Sequence, residues 1–118
     1  MYYQTMDKLK EYHKIVFDVV TEIARMTPSD EKSETQLIVD EERGHYVLFS
    51  IGWQDVIREY VPFVHLDLKK DGKIWIQHDG TDLKIALWLV EKGVPKNDIV
   101  LAFHSINRRK MMPEFAEC

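Results

Sequence analysis

The feature that most constrains the fold of this chain is a pair of short polar turns, each ending in glycine. The turns are Glu42-Arg43-Gly44 and Lys70-Asp71-Gly72. Three-residue turns with glycine in the left-handed conformation are typical of β-hairpins. They join segments in which apolar and polar residues alternate: Glu34–Glu41, His45–Gln54, Phe63–Lys69 and Lys73–His78. The sequence therefore predicts two antiparallel hairpins.

The alternation also predicts a register for each hairpin, because a slip of one residue turns every side chain to the other face. We expect Glu41 to pair with His45, and Lys69 to pair with Lys73. Each register places apolar residues together on one face of its hairpin. In the first hairpin these are Thr35, Leu37 and Val39 beside Ile51, Phe49 and Val47. In the second they are Val64, Leu66 and Leu68 beside Ile76 and Ile74.

Helical patterns flank the predicted strands. Residues at spacings of three and four form one apolar stripe near the N-terminus: Met6, Leu9, His13, Val16, Val20 and Ile23. We expect Thr5 to cap this helix and Pro28 to end it. A second helix is predicted from an N-cap at Thr81 to Gly93, and its apolar arc is wide: Leu83, Ile85, Ala86, Leu87, Leu89 and Val90. Such an arc indicates burial on two sides.

Together these patterns predict an α+β fold in a single domain over residues 1–118. An N-terminal helix packs on an antiparallel sheet of two hairpins, followed by a second helix and a short C-terminal segment. The apolar run Ile99–Phe103 fits either a strand or a short helix, and the pattern does not decide between them.

Composition excludes several classes of protein. The 16 Lys and Arg against 20 Asp and Glu give a net charge of −4, which argues against a free-standing DNA-binding protein. The single cysteine, Cys118, offers no internal disulfide and suits a reducing compartment. No long apolar run or signal-peptide pattern is present, so we expect a cytoplasmic protein that does not enter the membrane.

One face of the second hairpin is polar. The predicted register puts His65 opposite Gln77, Asp67 opposite Trp75, and Asp79 near Phe63. These groups can form a metal or ligand site, or a hydrogen-bonded patch on a solvated sheet face. We favour the patch, because the remaining histidines are scattered and no zinc-ligand spacing occurs. We therefore expect no catalytic residue, no metal and no cofactor.

An enzyme remains the alternative interpretation. Asp67-Leu68-Lys69 has the acid–x–lysine spacing of metal-dependent nucleases, with Asp55 as a possible upstream acid. A metal-dependent nuclease or small-ligand enzyme would be centred on His65, Asp67, Gln77 and Asp79. Matches of three residues are common by chance.

The aromatic and basic residues suggest an interaction surface. Trp75 lies on the polar hairpin face, and Trp88 lies at the edge of the apolar arc of the second helix. Half-exposed tryptophans suit protein–protein contacts, and Arg108 and Arg109 suit an acidic partner or phosphate. The structural alternative for the tryptophans is that they belong to a larger core. The alternative for the arginines is that they form a charge cluster that only improves solubility. We expect a two-fold homodimer that uses the apolar arc of the second helix together with Trp75 and Trp88.

Three stretches of the sequence carry a resemblance to a known family. The sequence resembles the XisI family in two long runs, His65–Thr81 (HLDLKKDGKIWIQHDGT) and Gly93–Ser105 (GVPKNDIVLAFHS). It also resembles that family upstream, in Gln36–Tyr46 and in Gly52-Trp53. The likeness covers nearly the whole chain in order.

That resemblance implies an fdxN element excision controlling factor of the kind found chiefly in cyanobacteria. It implies a small α+β fold and a role beside a XisH-like companion of endonuclease-like fold, controlling a site-specific recombinase. DNA would be engaged only indirectly. The family supplies no catalytic residues to carry over. The sequence departs from the family pattern at Pro62, at Ile106-Asn107 and at Met111-Met112-Pro113. Pro62 predicts a strand edge or a bulge, because proline has no N–H to donate to a neighbouring strand.

Overall fold

The structure, a computed structural model, describes residues 2–27 and 29–117, with side chains from Asp7 onward. Its helices are α1 (Tyr2–Met26), α2 (Ile85–Glu91) and α3 (Ile106–Lys110), and its strands are β1 (Ser33–Asp40), β2 (His45–Gln54), β3 (Ile57–Leu68), β4 (Ile74–Asp79) and β5 (Ile99–Val100). A 3-10 turn, Lys96–Asp98, precedes β5. The predicted roles of the Met6 side chain, Pro28 and Cys118 lie outside this description. No described helix has the length and apolar character to cross a membrane.

The predicted α+β fold is confirmed. The strands lie in the order β1-β2-β3-β4-β5; the first four are antiparallel neighbours, and β5 pairs parallel to β4. One sheet face, α1 and α2 enclose the core, whose fully buried members include Val16, Val20, Tyr46, Leu48, Val64, Leu66, Ile76, Ile85 and Leu89. We call the opposite side of β1–β4 the open face.

The register of the second hairpin is confirmed at its turn. The Lys69 amide donates to the Lys73 carbonyl at 2.9 Å, and Gly72 has a φ of +87°. Further along, a bulge between His65 and Leu66 shifts the pairing with β4 by one residue. His65 therefore pairs with His78 and not with Gln77, and Asp79 pairs with Val64 and not with Phe63.

The predicted register of the first hairpin is wrong by one residue. His45 pairs with Asp40, so the turn has four residues. The reason is Asp40: its side chain accepts from the Arg43 amide at 3.0 Å, and its carbonyl accepts from the Gly44 amide at 2.7 Å. Tyr46 and Leu48 consequently enter the core in place of Val47 and Phe49.

Strand β3 starts six residues earlier than predicted, directly after the turn Asp55-Val56. Pro62 pairs with Phe49 and Val64 pairs with Leu48, which leaves Phe63 as an extra residue in β3. The bulge expected beside Pro62 is therefore confirmed. A proline has no N–H to donate to a neighbouring strand, so it is tolerated at such a break.

The helix boundaries differ from the predictions at both N-termini. Helix α1 extends back to Tyr2, so Thr5 lies inside it and is not its cap. Helix α2 begins at Ile85 and not after Thr81, because the preceding residues form a loop and Lys84 adopts a φ of +55°. Ile99 and Val100 form a strand, whereas the rest of the run to Phe103 does not.

Candidate functional site

The strongest polar constellation lies where three strands meet on the open face. His45 is the first residue of β2, and it pairs with Asp67 on β3, which in turn pairs with Trp75 on β4. Side chains alternate between faces along a strand, so the neighbours Tyr46, Leu66 and Ile76 point into the core. The packing of that core fixes the backbone positions of His45, Asp67 and Trp75.

Asp67 is the centre of a dense hydrogen-bond network. Its Oδ1 lies 2.7 Å from His45 Nδ1 and 2.9 Å from His65 Nε2, and its Oδ2 accepts from Gln77 Nε2 at 3.0 Å. Lys69 Nζ lies 3.8 Å from Oδ2. We call His45, His65, Asp67 and Gln77 the Asp67 cluster. It brings a carboxylate, an amide and two imidazoles within reach of one ligand.

The carboxylate of the cluster is buried, yet it is held in its ionised form. Burial alone would raise the pKa of Asp67, which is 5% exposed, but hydrogen bonds from His45 and Gln77 and the nearby His65 outweigh it and lower that pKa. An ionised carboxylate only accepts hydrogen bonds, so each imidazole donates the proton of its inner nitrogen. The outer nitrogens lie toward solvent, since both imidazoles are partly exposed.

The structure separates Asp79 from the other three predicted site residues. Asp79 Oδ1 accepts from the Thr81 amide at 2.9 Å and from its hydroxyl at 2.6 Å, and Oδ2 accepts from the Ile85 amide at 3.1 Å. It therefore fixes the loop that leads into α2. Asp79 and Thr81 also border a cleft of about 550 Å³ between α2 and the C-terminal segment.

The predicted interaction residues lie in different surroundings. Trp75 is half-buried on the open face, with Lys69 Nζ 5.5 Å from the centre of its ring. Trp88 is half-buried against the core. Arg108 is exposed on α3, whereas the half-buried Arg109 donates to the Glu117 carbonyl at 3.1 Å. Of the four, Arg108 is exposed, and Trp75, Trp88 and Arg109 are half-buried.

His45 is the site residue that the sequence did not reveal. The turn Asp55-Val56 pairs Gln54 with Ile57, and without a break this register would carry His45 to Leu66, on the core face. The extra residue at Phe63 shifts the pairing by one and brings His45 opposite Asp67. The signal was Pro62, which predicted a bulge but not its effect on the distant end of the hairpin.

Fold and site together define a small α+β protein in which a mixed five-stranded sheet carries a histidine–aspartate cluster on its open face. The family model for the XisI protein matches residues 6–117, and the chain therefore belongs to the XisI family. The family resemblance seen in the sequence is thus confirmed.

Two solved structures show the same fold. A XisI-like protein from Anabaena variabilis is 40% identical, with a TM-score of 0.86 over 92% of this chain and 97% of its own. The fdxN element excision controlling factor XisI from Anabaena variabilis is 30% identical, with a TM-score of 0.84 over 94% and 99%. A comparison with curated proteins gives no significant match.

Proposed function

We propose that this chain is an excision controlling factor that acts without catalysis, by contact with a XisH-like companion, to control site-specific recombination of a DNA element. Family membership carries this proposal, since a relative aligned over 94% of the chain is an fdxN element excision controlling factor. The net charge of −4 supports contact with DNA only through a partner.

Trp75 and Arg108 are the residues that best suit the companion contact. Tryptophan and arginine are enriched in protein interfaces; Trp75 is half-buried on the open face, and Arg108 is exposed on α3. In contrast, the guanidinium of Arg109 is engaged by the backbone of Glu117, and Trp88 contributes to the core.

A reconstituted excision assay tests the proposed function. The element, its recombinase and the XisH-like protein are expressed with and without this chain, and excised circles are counted by PCR. Excision should depend on the chain, and the XisH-like protein should co-purify with it. Trp75→Ala should weaken both, while Trp53→Ala, at an exposed tryptophan on the far end of the β2–β3 hairpin, should not. Excision that is independent of the chain would contradict the proposal.

We also propose the two-fold homodimer that the sequence suggested, but at a different surface. In α2, Ile85 and Leu89 are buried in the core and only Leu87 of the arc is largely exposed, at 44%. A better contact is the edge of β3 from Ile57 to Pro62, where β2 is the only neighbouring strand among the described residues. Unpaired edges with apolar side chains favour pairing with a second strand, and homo-oligomers are most often two-fold.

Light scattering tests the dimer and its location. Val61 on the β3 edge and Leu87 on α2 are similarly exposed, at 48% and 44%, so Val61→Lys and Leu87→Lys form a matched pair. The wild-type chain and Leu87→Lys should have the mass of a dimer, and Val61→Lys that of a monomer. A monomeric wild-type chain would contradict the dimer, and a dimeric Val61→Lys would exclude the β3 edge.

A further inference from the structure

The Asp67 cluster has the donor set and spacing of a metal site. His45 Nδ1, His65 Nε2 and a carboxylate oxygen of Asp67 all lie within 4.8 Å of one another. The three residues come from neighbouring strands of one sheet, so their backbone positions are fixed by strand pairing and by the core beneath. We propose that these three side chains bind a divalent transition-metal ion of the Zn²⁺ type.

The chemistry of the donors selects the class of metal. Two imidazole nitrogens and one carboxylate oxygen suit Zn²⁺ and its neighbours in the first transition row, whereas Mg²⁺ and Ca²⁺ prefer oxygen ligands alone. Three protein ligands leave one coordination position open for water or for a group from another molecule. This expectation reverses the one drawn from the sequence, because His45 supplies the ligand that the sequence did not place there.

The cluster can change from hydrogen bonding to metal binding with small movements. Metal–ligand bonds of about 2.1 Å hold tetrahedral ligand atoms about 3.4 Å apart, somewhat more than the present 2.7 and 2.9 Å from Asp67 to the two imidazoles. Both imidazoles are partly exposed, at 46% and 36%, so they have room to move outward. A metal-bound imidazole coordinates as a neutral ring, so each ring would bind through its inner nitrogen and carry its proton on the outer one.

Gln77 provides the support that a metal-bound carboxylate needs. Its amide donates to Asp67 Oδ2 at 3.0 Å, which orients the carboxylate and leaves Oδ1 directed at the imidazoles. Such outer-shell partners typically change metal affinity by about 10- to 100-fold. Gln77 lies in β4 between Ile76 and His78, where the bulge interrupts the pairing with β3.

Titration of the full-length, metal-free protein with ZnCl₂ tests the site by calorimetry and by melting temperature. Co²⁺ provides a second probe, since its visible absorption reports tetrahedral coordination. Cys118→Ser serves as the background for all proteins, because a thiolate also binds Zn²⁺. We expect one ion per chain, a rise in melting temperature on binding, and an intense visible Co²⁺ band.

Variants locate the ion. His45→Ala and His65→Ala should each weaken Zn²⁺ binding by at least about tenfold, and Gln77→Leu by about tenfold. His104→Ala is the matched control, since this histidine packs against Phe103 and borders the cleft between α2 and the C-terminal segment, so its loss should leave binding unchanged. Circular dichroism verifies that each variant is folded. Absence of Zn²⁺ binding by the folded parent, or unchanged binding by folded His45→Ala and His65→Ala, would overturn the proposal.

Discussion

A Cβ atom on Gly44 would lie 2.1 Å from the carbonyl oxygen of Leu68. The glycine ends the first turn, and Leu68 ends β3, so the two hairpins touch at this point. The contact includes a hydrogen bond, since the Leu68 amide donates to the Gly44 carbonyl at 2.7 Å. Gly44 is therefore required both for its φ of +76° and for close backbone approach.

Alanine substitutions at three glycines of positive φ should separate these two requirements. A Cβ at Gly93 would have nothing within 4 Å, and the three atoms nearest to one at Gly72 all belong to the end of the Lys8 side chain. Gly72→Ala and Gly93→Ala should lower the free energy of unfolding by about 1–2 kcal/mol, the cost of the left-handed conformation. Gly44→Ala should lower the free energy of unfolding by clearly more, because its Cβ would also collide with the Leu68 carbonyl oxygen. Urea denaturation measures all three, and equal losses would contradict the steric contribution.

Replacing Gly72 by valine tests the second hairpin more severely. Valine at a φ of +87° should destabilise the protein by at least about 1–2 kcal/mol, because a β-branched residue is strained there. A neutral Gly72→Val in urea denaturation would contradict the left-handed turn.

Alkaline stability should depend on Tyr46. Burial, with a smaller contribution from Glu41, raises the pKa of Tyr46 from 10.0 to about 12. Between these values the unfolded chain loses a proton that the folded chain keeps, so the free energy of unfolding falls as pH rises from 10 to 12. Tyr46→Phe should make this decline shallower than it is in the wild-type chain. Thermal melts at several pH values measure the slope, and identical slopes for the two proteins would refute the assignment.

Asp79 should prove to be a structural residue. Its carboxylate accepts two hydrogen bonds from Thr81, in the loop before α2, and one from the first amide of α2, so Asp79→Ala should cost on the order of 1 kcal/mol, the usual net effect of lost hydrogen bonds. Asp82→Ala, an exposed position in the same loop, is the control and should be close to neutral. Zn²⁺ binding by folded Asp79→Ala should equal that of the parent. Chemical denaturation and calorimetry provide the two measurements.

Asp67→Asn should be destabilising at neutral pH. An amide cannot accept from both imidazoles and from Gln77 as the carboxylate does, so we expect a loss of about 1–3 kcal/mol in urea denaturation. Glu42→Gln, in the exposed first turn, is the control for loss of a negative charge. If the wild-type chain cleaves DNA and folded Asp67→Asn does not, the enzyme alternative replaces the proposed function.

Local sequence patterns predict the helices, the strands and one complete turn. They do not predict features that depend on contacts between residues distant in the sequence. The Lys70-Asp71-Gly72 turn was predictable because its register depends only on its own glycine and the flanking alternation. The first turn was misjudged because the Asp40 side chain adds a residue to it. His65, Asp67 and Gln77 were grouped correctly from one hairpin. His45 joins them through a bulge at Phe63, and sequence alternation does not predict where a bulge shifts a strand.

The four-residue length of the first turn has a consequence for how this family can vary. Surface turns usually tolerate insertions and deletions. Here one deleted residue would shift the register of β2 by one, and every side chain of β2 would turn to the other face of the sheet. Tyr46 and Leu48 would leave the interior, and His45 would turn away from Asp67 in the same step. The packing of the core and the assembly of the Asp67 cluster are thus tied to a single loop length. A homologue with a shorter loop here must have rebuilt both its interior and its sheet surface.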